Sequence, residues 1–159
     1  MKTNTPKTIC GLLVLVSLTI ISCKNTAAKD SETLANADRY FSSLSIKVGR
    51  NAAFLAMFDS AGVMLGSNLP PVEGYKAISK LLVSHSDSTY TLTWEPMFAK
   101  VAKSGELGYT YGIYKLSEKK SGKKMSEGTY TTIWQKNAKG EWKAMLDTGN
   151  EGLKQPSNK

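Results

Sequence analysis

The chain has 159 residues, 41% of them hydrophobic, and 21 lysines and arginines against 13 acids give a formal charge of +8. That length suits one domain, able to bury about two thirds of its unfolded surface without a metal or disulfide staple. Many cations crowd into Lys115, Lys119, Lys120, Lys123 and Lys124, with others near the C-terminus, so they read as solvated turn and tail charge rather than a ridge for phosphates, which argues against nucleic acid as a partner.

Met1 to Cys23 opens with Lys2 and Lys7, runs apolar from Ile9 to Ile21 and ends in Ser22-Cys23. A basic start, a short apolar run and a small residue before the break are the parts of a secretory signal, and the run is too short for a membrane span. Ile20-Ile21-Ser22-Cys23 resembles a bacterial lipobox. The resemblance implies a signal peptide over residues 1–22 and acylation of Cys23, several acyl chains giving the stable anchoring that one chain does not. The alternative is an ordinary cleaved signal followed by a free cysteine. Cleavage would remove Lys2 and Lys7, leaving +6, and also Cys10, so that no disulfide could form within the mature chain. Residues 24–29, KNTAAK, suit a flexible tether. In lipoproteins of enteric bacteria an aspartate after the cysteine marks inner-membrane retention. Lys24 stands there instead, and no acidic run follows, so the resemblance implies a cell-envelope address at the outer membrane, facing the periplasm.

The domain is expected over residues 30–150, with a polar tail over 151–159. Leu34, Ala37, Tyr40, Phe41 and Leu44 recur at helical steps and predict a first helix from Asp30 to Ile46, its end weakened by Ser42, Ser43 and Ser45. A second helix is expected from Asn51, as cap, to Phe58, then a short strand at Val63 to Leu65, a Gly/Pro loop over residues 66–71, and a third helix from Glu73 to Val83. Tyr90 to Tyr114 reads as a hairpin about Lys103-Ser104-Gly105-Glu106, followed by strands from Gly128 to Gln135 and from Trp142 to Asp147. Three helices followed by four consecutive strands give an α+β domain, with helices packed on one face of a strongly curved antiparallel four-stranded sheet.

This order is similar to the nuclear transport factor 2-like, or cystatin-like, fold of ketosteroid isomerases and SnoaL-like cyclases. Phrases spread along the chain resemble SnoaL-like proteins of the domain of unknown function 4440 family: Trp94-Glu95-Pro96, Ser104 to Gly112, Gly128-Thr129-Tyr130, Gly140-Glu141-Trp142-Lys143 and Asp147-Thr148-Gly149-Asn150. The resemblance implies a conical pocket between sheet and helices, suited to a small apolar molecule. It also places an isomerase base at Gly66 and the oxyanion-stabilising acid at Thr132, neither of which carries a carboxyl, with Tyr40 as the nearest tyrosine. Isomerase chemistry is therefore not expected.

Among other candidates, His85 is the single histidine, in a Ser/Asp loop, and with Cys23 lipidated no zinc site can be assembled; no cofactor is expected. Trp94, Tyr109, Tyr111, Tyr130 and Trp134 form a strand-borne aromatic set whose usual role is core or dimer packing and whose alternative role is ligand contact, with Thr132 beside them. Along Glu106 to Leu116, either Leu107, Tyr109, Tyr111 and Ile113 or Gly108, Thr110, Gly112 and Tyr114 lines the cavity; Gly108 and Gly112 mark a close approach or a bend. Strict alternation from Trp142 puts Asp147 on the face opposite Trp142 and Ala144. It is then either a buried pocket acid with a raised pKa or an Asx-type cap on the Thr148-Gly149-Asn150 turn.

Three functions fit: an anchored binder of a small molecule or partner, an acid-using cyclase, dehydratase or hydrolase, and a structural homodimer paired through the open sheet face. A pocket carboxylate with a raised pKa favours the enzyme, a funnel free of titratable groups the binder, and a sealed cavity the dimer.

Overall fold

A computed structural model describes residues 17–153, with side chains described from residue 28 onward. Most of the expected leader and the end of the expected tail lie outside the described residues. Helix α1 runs Ser17–Val48, α2 Arg50–Met57 and α3 Tyr75–Ser84. The six strands are β1 Phe58–Leu65, β2 Val72–Glu73, β3 Tyr90–Val101, β4 Leu107–Glu118, β5 Lys124–Lys136 and β6 Trp142–Glu151. Helix α1 continues through residues 24–29, where a tether was expected; KNTAAK holds neither Gly nor Pro, and its alanines favour helix.

The α+β class and the helix-on-sheet layering are as the sequence implies, but the sheet is larger and mixed. Its order is β2-β1-β6-β5-β4-β3. The antiparallel meander β3 to β6 is extended by β1, which pairs parallel with β6, and by the two-residue β2. A parallel neighbour is brought in by distant chain, so local turn chemistry cannot announce it. Register shifts at Pro96/Phe98, Leu116/Ser117 and Ile133/Trp134 mark bulges that bend the sheet around α1.

The face of α1 turned to the sheet carries Leu34, Asp38, Phe41, Ser42 and Ser45, all buried. Two of the three serines at the expected weak helix end, Ser42 and Ser45, have a definite task. β3 is the last strand of the sheet, and an edge strand leaves backbone groups without a partner. The Ser42 hydroxyl accepts from the Trp94 N–H at 2.8 Å, and the Ser45 hydroxyl donates to the Leu92 carbonyl at 2.8 Å. Helix and edge are thereby joined, with the Arg39–Glu95 ion pair at 2.7 Å outside them.

Asn51 is not the cap of α2. Gly49 precedes that helix with φ 91, and Asp87 accepts from the Asn51 N–H at 2.9 Å, supplying the cap from across the chain. The Asn51 side-chain amide donates to the Leu82 and His85 carbonyls at 2.8 and 2.9 Å, satisfying the C-terminus of α3. Trp134, fully buried, stacks on Phe41 with ring centroids 5.9 Å apart, and Leu34, Met57 and Ile78 complete the centre of the core.

Candidate functional site

On β4 the buried positions are Gly108, Thr110 and Gly112, so that set, with Tyr114, faces the helices. Leu107, Tyr109 and Tyr111 face outward. The glycines explain how large rings fit inside. Gly112 lies opposite Tyr130 on β5, and Gly128 of β5 lies opposite Tyr114 on β4. A Cβ on Gly112 would come within 2.9 Å of the Tyr130 ring and 2.0 Å of the Glu95 carbonyl oxygen; one on Gly128 would come within 2.7 Å of the Tyr114 ring. Each tyrosine therefore lies over a glycine of the adjacent strand. Gly108 admits α1 in the same way, its missing Cβ lying 2.6 Å from a Leu34 methyl.

Asp147 joins this inner face through a bulge. Register slips between Ile133 and Trp134, so Trp134 pairs with Ala144 while Thr132 pairs with Asp147. One extra residue reverses the alternation, and Asp147 shares the inner face with Trp142 and Ala144 rather than opposing them. The Thr132 hydroxyl donates to Asp147 Oδ2 at 2.6 Å, the one hydrogen bond to that side chain among the described residues. Desolvation, opposed in part by the Thr132 hydrogen bond and aided by the Asp38 charge, raises the Asp147 pKa to about 6.

A pocket of about 170 Å³ opens in front of this carboxyl. Phe54, Met57, Leu92, Trp94, Tyr114 and Tyr130 form its walls, and Ser67, Thr148 and Gly149 complete its polar side. Glu151, exposed, stands at its rim. A cavity of this size suits a molecule of about one ring, below the ~300 Å³ at which drug-sized sites begin.

Behind the wall lies a second acid. Asp38, fully buried on α1, accepts from Trp94 Nε1 at 2.6 Å on Oδ1 and from the Tyr130 hydroxyl at 2.8 Å on Oδ2. Burial raises its pKa, opposed by hydrogen bonds from Thr110, Tyr130 and Trp94. Burial and the Asp38 charge raise the Tyr130 phenol far above its ordinary value, so it stays protonated as a donor. Trp134 Nε1 donates to Thr110 Oγ1 at 2.8 Å. Two carboxyl groups thus differ in access: Asp38 is sealed by two aromatic donors, whereas Asp147 faces the pocket.

Of the residues singled out from sequence, Trp94, Tyr130, Thr132 and Asp147 come together here. Trp134 is core rather than wall. Tyr109 and Tyr111 leave the site because β4 presents its other face inward; on the outer face Tyr111 stacks on Phe98 at a centroid distance of 5.3 Å and Tyr109 meets the same ring tilted, at 6.0 Å. Tyr40 is 60% exposed, leans on Phe41 and is not among the residues lining the pocket. Gly66 follows β1 in the loop before β2, next to the pocket's Ser67, and brings no side chain to it. His85 is exposed, its Nδ1 near the Leu81 carbonyl at 3.0 Å. Side-chain surroundings at Cys23 lie outside the described residues.

Tyr114 belongs to the second of the two alternative β4 sets, the one that does line the pocket, whereas Asp38 and Glu151 are not among the residues singled out from sequence. Asp38 could have been found, since it stands four residues after Leu34 and three before Phe41, a carboxylate on the apolar stripe of the first helix. Among the described residues no cluster of metal-ligating side chains comes together, and no helix is long and apolar enough to cross a membrane.

No family model matches this sequence, and no curated protein matches it. Solved structures do resemble it. A domain of unknown function with a cystatin-like fold from Nostoc punctiforme superposes with a TM-score of 0.65 at 14% identity, over 79% of this chain and 79% of that one. A ketosteroid isomerase-like protein from Erwinia carotovora atroseptica gives 0.60 at 15% identity, over 77% and 96% of the two chains. A nuclear transport factor 2-like protein of unknown function from Pseudomonas putida gives 0.60 at 11%, over 83% and 92%. At such identities the likeness carries the fold alone: this chain has the nuclear transport factor 2-like, cystatin-like cone fold.

Proposed function

We propose that this chain is a SnoaL-like protein of the domain of unknown function 4440 type, a lipid-anchored cell-envelope protein whose pocket binds a small, largely apolar molecule. The observation that carries the binding reading is the aromatic cavity itself, walled by Trp94, Tyr114 and Tyr130 and kept open by glycines on the strands between them. A thermal-shift screen with one-ring hydrophobic compounds tests it, because a ligand that prefers the native state raises the transition temperature. Binders whose effect is lost in Tyr114→Ala support the reading; silence across a broad screen sinks it. The signal peptide and anchor rest on the Ile20 to Cys23 motif, and mass spectrometry of the membrane fraction would find acylated Cys23 at the mature N-terminus.

One observation favours a second reading. Asp147 combines a pKa of about 6 with access to the pocket, the condition set above for an enzyme. Such a carboxyl can take up or release a proton near neutral pH, as a dehydratase, cyclase or isomerase step requires. Neither Gly66 nor Thr132 supplies a carboxyl to this site, so Asp147 would be its acid or base. Turnover abolished by Asp147→Asn, with binding retained, would establish the enzyme over the binder.

A further inference from the structure

We propose that the pocket selects a compact organic cation, a protonated amine on a body of about one ring, paired with the Asp147 carboxylate and enclosed by aromatic faces. This deepens the binding reading above and rests on it.

The first observation is the sign of the charge. The chain carries 21 lysines and arginines and a formal charge of +8, yet the residues lining the pocket include no cation; the charged groups there are Asp147 and Glu151. The two stand four residues apart on one strand, roughly 13 Å along it, so Asp147 is the inner partner and Glu151 the rim charge. A carboxylate or phosphate ligand would meet two acids and no compensating base.

Hydrogen bonding gives the second. Asp38 has both oxygens occupied, by Trp94 and Tyr130. Asp147 has the Thr132 hydroxyl on Oδ2 and, among the described residues, no donor on Oδ1. A desolvated carboxylate is stabilised by several donors, and an ammonium group supplies N–H and positive charge together. The walls are the third. Phe54, Trp94, Tyr114 and Tyr130 bring four aromatic side chains to one small cavity, and ring faces carry the negative side of the quadrupole, which attracts a cation more strongly when water is excluded.

A pH signature follows. The titratable groups around Asp147 are Asp38 from α1, Tyr130 from β5, Tyr114 from β4 and Glu151 from β6, while α2 contributes only Phe54 and Met57. Tyr130 stays protonated, and Asp38, closed off by its own donors, acts on Asp147 by repulsion. A bound cation favours ionised Asp147, so affinity for it rises with pH through about 6 and then levels.

The test is calorimetric titration of the full chain with benzylammonium, benzyl alcohol and benzoate at pH 5 and pH 8. At pH 8 benzylammonium is expected to bind about tenfold or more tighter than benzyl alcohol, the scale of one hydrogen bond to a charged group, with benzoate weakest. The preference should shrink at pH 5 and be lost at pH 8 in Asp147→Asn. Benzyl alcohol or benzoate binding as tightly as benzylammonium at pH 8 overturns the cation proposal and leaves the apolar pocket standing. Failure of all three to bind overturns both. Should Asp147→Asn not fold, the wild-type pH pair decides.

Discussion

Replacing Asp147 with asparagine keeps the side-chain shape and an oxygen to accept from Thr132, and removes the charge. In the folded chain the carboxyl titrates near 6 instead of 3.8, so the native state holds this proton more tightly than the unfolded state does. Below the unfolded value both states are protonated and the aspartate costs nothing. As pH rises through 4 to 6 the unfolded chain releases its proton first, and wild-type stability falls. A shift of about two units at ~1.4 kcal/mol each gives a ceiling of about 3 kcal/mol, lower where pocket water reaches the carboxyl. The variant does not suffer this loss. Urea unfolding of both proteins across pH 4 to 8 should show Asp147→Asn gaining on wild type up to about pH 7 and then holding level, with a slope no steeper than about 1.4 kcal/mol per pH unit. The difference cancels most of the titration of other groups, apart from relief of Asp38 once its neighbour is neutral. A flat difference across this range, or a variant that loses ground as pH rises, would refute the reasoning, because it would mean the carboxyl is solvated.

Three further outcomes are expected. Asp38→Ala orphans the Trp94 and Tyr130 donors and should cost about 1–3 kcal/mol for each, read by denaturant unfolding; a variant as stable as wild type would mean that neither hydrogen bond is made. Gly128→Ala places a Cβ 2.0 Å from the Asn150 carbonyl oxygen and 2.7 Å from the Tyr114 ring, so it should lower stability by about 1–3 kcal/mol and displace Tyr114, quenching binding in the thermal-shift assay. Phe98, Tyr109 and Tyr111 form an exposed aromatic row, and if the chain pairs through this face, Tyr111→Lys should convert a dimer to monomer in light scattering without altering pocket binding. Wild type already monomeric at high concentration would remove the dimer from consideration.

The sequence disclosed what local chemistry can encode. Strand-forming runs broken at Gly105 and Gly140 delivered the meander, and the Leu34 to Phe41 spacing delivered α1. Trp94, Tyr130, Thr132 and Asp147 stand out in the sequence by residue type on strand-forming runs, and they lie together at one pocket. What stayed hidden depends on chain brought in from far away or on one-residue slips. The parallel pairing of β1 with β6 joins segments some eighty residues apart in sequence, and no turn signals it. The face of Asp147 is set by a bulge near Met145, which strict alternation assigns wrongly. Asn51 looks like a helix cap locally and serves a different helix, because Asp87 occupies the position first. Residue type alone does not separate core, surface and pocket aromatics: burial against Phe41 assigns Trp134 to the core, and the outward face of β4 takes Tyr111 away from the pocket. Truncating Trp134 would consequently cost about 3–5 kcal/mol of stability rather than report on binding.

The seam between α1 and β3 bears on how these molecules behave when crowded. Open β-sheets invite a neighbour's backbone onto their outermost strand, the first step towards filaments. Here Ser42 and Ser45 occupy groups on that strand that a newcomer would need, and the opposite margin, β2, is only Val72 and Glu73, too brief to template anything. Both margins of the sheet thus offer a neighbour's main chain less than their length alone would suggest.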